Sequence, residues 1–125
     1  MAGRRSNPTA FWDDEATGVN TASAVVQVGE GIEMLLLNLT VSAAATISVE
    51  CALDPPVNSE GIRPDFDPLT ATWGPLFYLG TAISHVFSSG GTAMLIVPDF
   101  TPLHLRLKSS ANVTATAGYE AKGDF

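Results

Sequence analysis

The sequence contains little of several features on which small proteins commonly depend. It has one cysteine, Cys51, among 125 residues, which excludes an internal disulfide and therefore a disulfide-based fold. Only 15% of its residues are charged, against about 25% in a typical soluble domain. Six basic residues stand against 13 acidic ones, for a net charge of −7. This shortage of Lys and Arg argues against nucleic acid as a partner, because binding to the phosphate backbone depends on clustered basic side chains.

Long apolar runs are also missing. Runs such as Met34 to Leu37 are far shorter than the ~20 residues that a membrane-spanning helix needs. Residues 6–9 are polar where the apolar part of a secretory signal would begin. We therefore expect a soluble protein that is made in the cytoplasm and has no membrane partner.

What the sequence does contain is an alternation of apolar and polar residues with a period of two. The clearest example is residues 103–108, where three leucines alternate with His104, Arg106 and Lys108. Residues 32–42 and 46–53 alternate in the same way, and Cys51 falls on the apolar side, where we expect a small buried side chain. Such patterns are typical of antiparallel strands that are buried on one face.

About eight short strands, separated by turn signals, and no convincing helix follow from this pattern. We predict an all-β fold, an antiparallel β-sandwich resembling a jelly roll, that forms a single domain over residues 21–125. Residues 1–20 show no periodicity and are predicted to form an extended N-terminal arm. Residues 54–72, rich in Pro and acidic residues, are predicted to be a long loop. The strand order is left open by the pattern, and an immunoglobulin-like order remains possible.

Two pairs of apolar residues are candidates for contact with other subunits. Phe11 and Trp12 are adjacent aromatics in the polar arm, and we expect them to dock either on their own domain or on a neighbour. Met34 and Leu36 lie on the second face of a strand whose first face is already apolar. They either contact another subunit or are covered by the chain itself.

Groups suited to catalysis are few. His85 shares a strand face with Ile83 and Phe87, so we expect it to be partly buried, whereas His104 shares its face with two basic residues and is expected to face solvent. No Gly-x-Ser-x-Gly motif supports a serine triad. We therefore predict no catalytic residues and no enzymatic activity.

Cofactor and ligand sites have limited support as well. Four acids occur in or beside the long loop, namely Asp54, Glu60, Asp65 and Asp67, and oxygen-rich loops can bind calcium, but the EF-hand spacing is absent. We predict no metal and no other cofactor. Trp73 and Tyr78 are possible stacking platforms for a sugar, although aromatics in such a pattern are more often part of a core.

The second half of the chain resembles small structural proteins of tailed bacteriophages. The resemblance is carried by the Trp73 to Tyr78 segment, the Ser89-Gly90-Gly91-Thr92 hairpin, the stretch 102–107 and the Thr-rich strand 113–119. The arm with its Phe-Trp pair and the surface with its few charges look like those of capsid cement (decoration) proteins.

This resemblance implies a sandwich or jelly-roll domain, often a homotrimer, that binds outside the shell and clamps neighbouring subunits of the major capsid protein. Phe11, Trp12, Met34 and Leu36 would then be the candidate contacts to the capsid or between subunits. The expected location is the capsid surface of the virion, after synthesis in the host cytoplasm. Two alternatives remain: a receptor- or carbohydrate-binding module of a tail fibre or adhesin, and a structural component of the tail or neck.

Overall fold

The computed structural model describes residues 10–28, 32–98 and 104–123, and within them the chain is all-β. The described part contains no helix long and apolar enough to cross a membrane. Its strands, in chain order, are β1 (Ala10–Ala16), β2 (Val26–Gln27), β3 (Ile32–Val41), β4 (Ala45–Ala52), β5 (Gly74–Pro75), β6 (Phe77–Tyr78), β7 (Thr81–Ala82), β8 (Ser84–Phe87), β9 (Gly91–Pro98), β10 (His104–Ser109) and β11 (Thr114–Gly123).

These strands form two antiparallel sheets. Sheet A has the order β1-β11-β3-β9, and sheet B has the order β2-β10-β4-β5, with β8 pairing the first half of β4. Strands β6 and β7 form a separate hairpin, whose turn residues Leu79 and Gly80 both have positive φ. The predicted antiparallel all-β fold is confirmed, while its likeness to a jelly roll stays a prediction.

One core joins the two sheets. Leu35, Leu37 and Leu39 point inward from β3 and belong to the same buried cluster as Leu105 and Leu107 from β10. Burying each such side chain stabilises the fold by about 1.5–3 kcal/mol. The alternation predicted from sequence therefore fills the space between two sheets, as a sandwich requires. Leu103, which continues the β10 pattern, lies outside the described residues.

The chain crosses between the sheets at closely packed corners. Ser42 follows β3 and Ser110 follows β10, and their hydroxyls accept hydrogen bonds from the backbone N–H groups of Thr114 and Thr46, at 3.0 and 2.9 Å. Gly90 joins β8 to β9, and a Cβ added there would come within 2.7 Å of the Ser42 carbonyl oxygen. Each of the two hydroxyls thus continues the hydrogen bonding of its own sheet beyond the end of a strand.

Part of the segment predicted as an arm is a strand. Residues 10–16 form β1 and pair with β11, so the extended arm over 1–20 is corrected at these positions, while residues 1–9 lie outside the described part. Two register shifts interrupt the pairing, and Asp14 has φ 53° in the second. Such bulges break the two-residue period, which is why the sequence pattern did not reveal this strand.

The proline-rich segment behaves as the sequence indicates. Residues 53–73 contain no strand or helix, which agrees with the predicted long loop. Pro75 lies in the two-residue edge strand β5, where a residue without a backbone N–H is tolerated. Strands β7 and β8 are separated by Ile83, whose N–H donates to the Leu76 carbonyl and whose carbonyl accepts from the Val49 N–H.

Candidate functional site

The outer face of sheet A carries a connected strip of apolar side chains. Leu36 on β3 lies directly opposite Ile96 on β9, Met34 lies opposite Pro98, and Met94 follows one step along β9. Ile96 and Met94 are 51% and 59% exposed, and Met34 and Leu36 are half-buried. We call these five residues the apolar strip. Apolar patches of this kind mark surfaces that contact other molecules.

Met34 and Leu36 thus occupy the position that their strand pattern suggested, on the face of β3 that does not enter the core. Met94 and Ile96 were missed as surface residues. A signal was available, because the sequence of β9 from Ala93 to Pro98 is apolar on both faces, and such a strand must be covered on both sides or expose one of them.

Phe11 and Trp12 do not contribute to this surface. They are 1% and 3% exposed in the core of their own chain, which is the first of the two alternatives given by the sequence. The bulge between Ala10 and Trp12 turns both consecutive side chains inward. Phe11 also meets the Tyr119 ring edge to face, with centroids 5.9 Å apart. As folded, neither aromatic can anchor the chain to a capsid, so both are withdrawn as contact candidates.

The outer face of sheet B is covered by the long loop. Phe66 from the loop stacks on His104 of β10, with ring centroids 3.5 Å apart and planes 5° apart. Trp73 meets Phe66 edge to face and lies 4.1 Å from the guanidinium of Arg106. The loop therefore forms a third layer over this sheet.

Two corrections to the expected burial follow from this cover. His104 was expected to face solvent, but it is 5% exposed, because Phe66 lies on its ring and its Nε2 is 2.7 Å from Asp54 Oδ1. Trp73 was more readily explained as a core anchor, but it lies outside the sandwich core, and its indole N–H donates to the Pro68 carbonyl at 3.0 Å.

Charged side chains on this face are paired within the chain. Glu50 on β4 accepts from Arg106 Nε at 2.7 Å, and its other oxygen lies 3.6 Å from Lys108 Nζ. All three are partly shielded from solvent, so their attraction is less screened than that of fully exposed ions. Glu50 also contributes to raising the pKa of the neighbouring Cys51 thiol, after the larger effect of burial.

Two open clefts lie beside this layer. One, of about 510 Å³, is bounded by residues 53–56, 64–67 and 70–72. The other, of about 450 Å³, lies between the loop and β2 and reaches His104 and Arg63. Both are within the size of clefts that bind small molecules, but both are wide open rather than enclosed.

Three of the four acids considered for calcium, Asp54, Asp65 and Asp67, line the first cleft. Asp54 binds His104, whereas Asp67 Oδ1 accepts the N–H of Leu69 in a local turn. Across residues 10–28, 32–98 and 104–123, no group of three His, Cys, Asp or Glu side chains is close enough to hold a metal ion.

The two histidines have different surroundings. His85 is half-buried, as the strand pattern predicted, and its ring meets the Phe87 ring edge to face with centroids 4.6 Å apart. His104 and Asp54 form a pair like the base and carboxylate of a catalytic triad. With its ring beneath Phe66 and only 5% of its surface exposed, however, His104 links the loop to the sheet.

Trp73 and Tyr78, considered as a sugar platform, do not form one together. One face of the Trp73 indole is occupied by Arg106, and Tyr78 belongs to the separate β6–β7 hairpin.

The chain matches no protein-family model, no curated protein and no solved structure.

Proposed function

We propose that this chain is a virion structural protein, a capsid cement (decoration) protein that binds the outer shell between subunits of the major capsid protein and stabilises it. The observation that carries the proposal is the apolar strip, which stays open to solvent on the outer face of sheet A. The proposal assigns the chain no catalytic reaction and no cofactor.

The contact surface in this proposal is small and sparsely charged. Met34 and Leu36 are kept as candidate contacts, and Met94 and Ile96 join them because they extend the same surface on β9. A face of this size gives a weak single contact. On a symmetric shell the contact is repeated many times, and copies that are linked together bind far more tightly than one alone.

The resemblance to cement proteins supports the location on the capsid surface and implies a homotrimer. The small fraction of charged residues in the chain supports the same role, because a surface with few charges is compatible with lasting contact to other subunits. The alternatives are a carbohydrate- or receptor-binding module of a tail fibre or adhesin and a structural component of the tail or neck.

The test is binding to empty shells assembled from the major capsid protein of the same virus. We expect the purified chain to co-sediment with shells at a fixed ratio and to raise their melting temperature. Replacing Met34 and Leu36 together with Lys should abolish co-sedimentation, whereas Val86→Lys, at an exposed apolar strand position on sheet B, should not. Circular dichroism checks that both variants are folded.

Two results would overturn this proposal. Binding to a glycan array with no affinity for shells identifies the carbohydrate-binding alternative. Binding to purified tails or necks, at low copy number and without binding to shells, identifies the tail or neck alternative.

A further inference from the structure

The two edges of sheet A are protected very differently. The β1 edge carries Asp13, Asp14 and Glu15 and is bent by two bulges. Charges and bulges on an edge strand prevent another strand from pairing with it. The β1 edge is therefore closed to strand addition.

The β9 edge has neither protection. Its sequence, Gly-Thr-Ala-Met-Leu-Ile-Val-Pro, contains no charged residue, and its pairing with β3 runs without a register shift from Pro98 to Gly91. Among the described residues β9 pairs along the sheet with β3 alone. A long, regular, apolar edge of this kind offers its unpaired backbone groups to a further strand.

We propose that the β9 edge pairs with β9 of a second copy of this chain, antiparallel and across a two-fold axis. The four strands of sheet A from each copy would then form one continuous sheet of eight. A two-fold contact uses the same patch on both copies, so β9 must be able to pair with a strand of identical sequence. Strand β9 contains no charged residue, so pairing it with itself brings no like charges together, although the chain has a net charge of −7.

The side chains of β9 also favour this pairing. In antiparallel strands, residues that lie opposite each other point to the same face. If the two-fold axis is perpendicular to the sheet, the residue at the axis therefore lies opposite the same residue of the second copy. The two registers that pair most of β9 place either Met94 or Leu95 at the axis. With Leu95 at the axis, Met94 of each copy lies opposite Ile96 of the other; with Met94 at the axis, the two Met94 residues lie opposite each other and Ile96 lies opposite Thr92. Either register continues the apolar strip across the axis.

This inference does not depend on the proposed function, because it is tested on the purified chain alone. Size-exclusion chromatography with light scattering, run over a range of concentrations, should give twice the chain mass of 13.1 kDa. Ile96→Lys, which places a charge opposite Thr92 or Met94 of the second copy, should weaken self-association about tenfold or more. Val86→Lys is the matched control, a β-branched exposed strand residue on the other sheet, and should leave the dimer intact.

A second measurement identifies the strand that is paired. In a Cys51→Ser background, the substitutions Met94→Cys and Leu95→Cys place one thiol each at the two candidate axis positions. Opposed Cα atoms in antiparallel strands are about 4.5–5.5 Å apart, which a disulfide spans. Mild oxidation should therefore cross-link one of the two variants into a dimer.

Three results would each overturn the proposal: a wild-type chain that stays monomeric at high concentration, an oligomer that Ile96→Lys leaves unchanged, or the absence of a cross-link at both positions. A stable trimer that contains no such cross-link would favour the three-fold assembly implied by the resemblance.

Discussion

The outer faces of the two sheets differ in how far the same chain covers their side chains. On sheet B the outward side chains of β10 are His104, Arg106 and Lys108, and the same chain supplies Asp54, Glu50, Phe66 and Trp73 to pair with or cover them. On sheet A the outward side chains of the apolar strip have no such cover among the described residues.

Polarity explains this difference. A charged side chain that is partly removed from water needs a specific partner, since an unpaired buried charge costs several kcal/mol. The partner must be reliably present, and the most reliable one is part of the same chain. Apolar side chains need no specific partner and can remain exposed until another molecule covers them. The apolar outer face of sheet A is therefore better suited to assembly than the charged outer face of sheet B.

The largest expected effect comes from damaging the core that both sheets share. Leu105→Asp should prevent folding, because Leu105 is fully buried and an uncompensated carboxylate there costs several kcal/mol. Val86→Asp makes a similar change on the outer face of sheet B and should keep the native far-UV circular dichroism spectrum. A soluble Leu105→Asp variant that melts cooperatively would contradict the inward assignment of β10.

The next largest effect concerns a corner that carries the chain from sheet B to sheet A. Gly90→Ala should lower the free energy of unfolding by about 1–3 kcal/mol, the usual cost of overpacking, because its Cβ meets the backbone of Ser42 at 2.7 Å. At Gly91 nothing lies within 4 Å of an added Cβ, so Gly91→Ala should change stability by about 0.5 kcal/mol or less. Urea denaturation measures both, and equal effects would show that the corner can relax.

Removing the cover of sheet B should have an effect of similar size. Phe66→Ala loses one stacked and one edge-to-face contact, each worth about 0.5–1.5 kcal/mol beyond buried area, so we expect a loss of about 1–3 kcal/mol. The freed loop should also be cut faster after Glu60 by endoproteinase Glu-C. Leu69→Ala, at a side chain that is 93% exposed in the same loop, is the control and should change neither stability nor cleavage rate.

The smallest effect is on the reactivity of Cys51. Burial, and secondarily Glu50, raises the pKa of this thiol above its ordinary value, so the neutral thiol is favoured in the folded state. Its reaction with a disulfide reagent should therefore begin at higher pH than that of the unfolded chain. The corresponding contribution to stability is present at neutral pH and is lost as the pH rises through the raised pKa. Identical pH profiles for folded and urea-unfolded protein would contradict this.

Alternation of residue types was enough to predict the antiparallel strands and the inward leucines of β3 and β10, because each of those strands is buried on one face. It could not predict β1, where bulges turn Phe11 and Trp12 inward together and acids occupy an edge. Nor could it predict the burial of His104, which depends on Phe66, 38 residues earlier in the chain. A periodic pattern shows which face of a strand is buried in the core. It does not show whether a distant loop covers the other face.

The position of β11 in sheet A affects the order in which the molecule can be completed. β11 lies between β1 and β3, so the earliest strand has its neighbour nearly a hundred residues later, with Ala16 paired to Thr114. On a ribosome, sheet B can pair as soon as residue 109 has emerged, but sheet A stays split into β1 and the β3–β9 pair until the segment from Thr114 to Gly123 has been synthesised. The apolar strip lies on β3 and β9, so it gains the support of β11 only after that last segment has been synthesised.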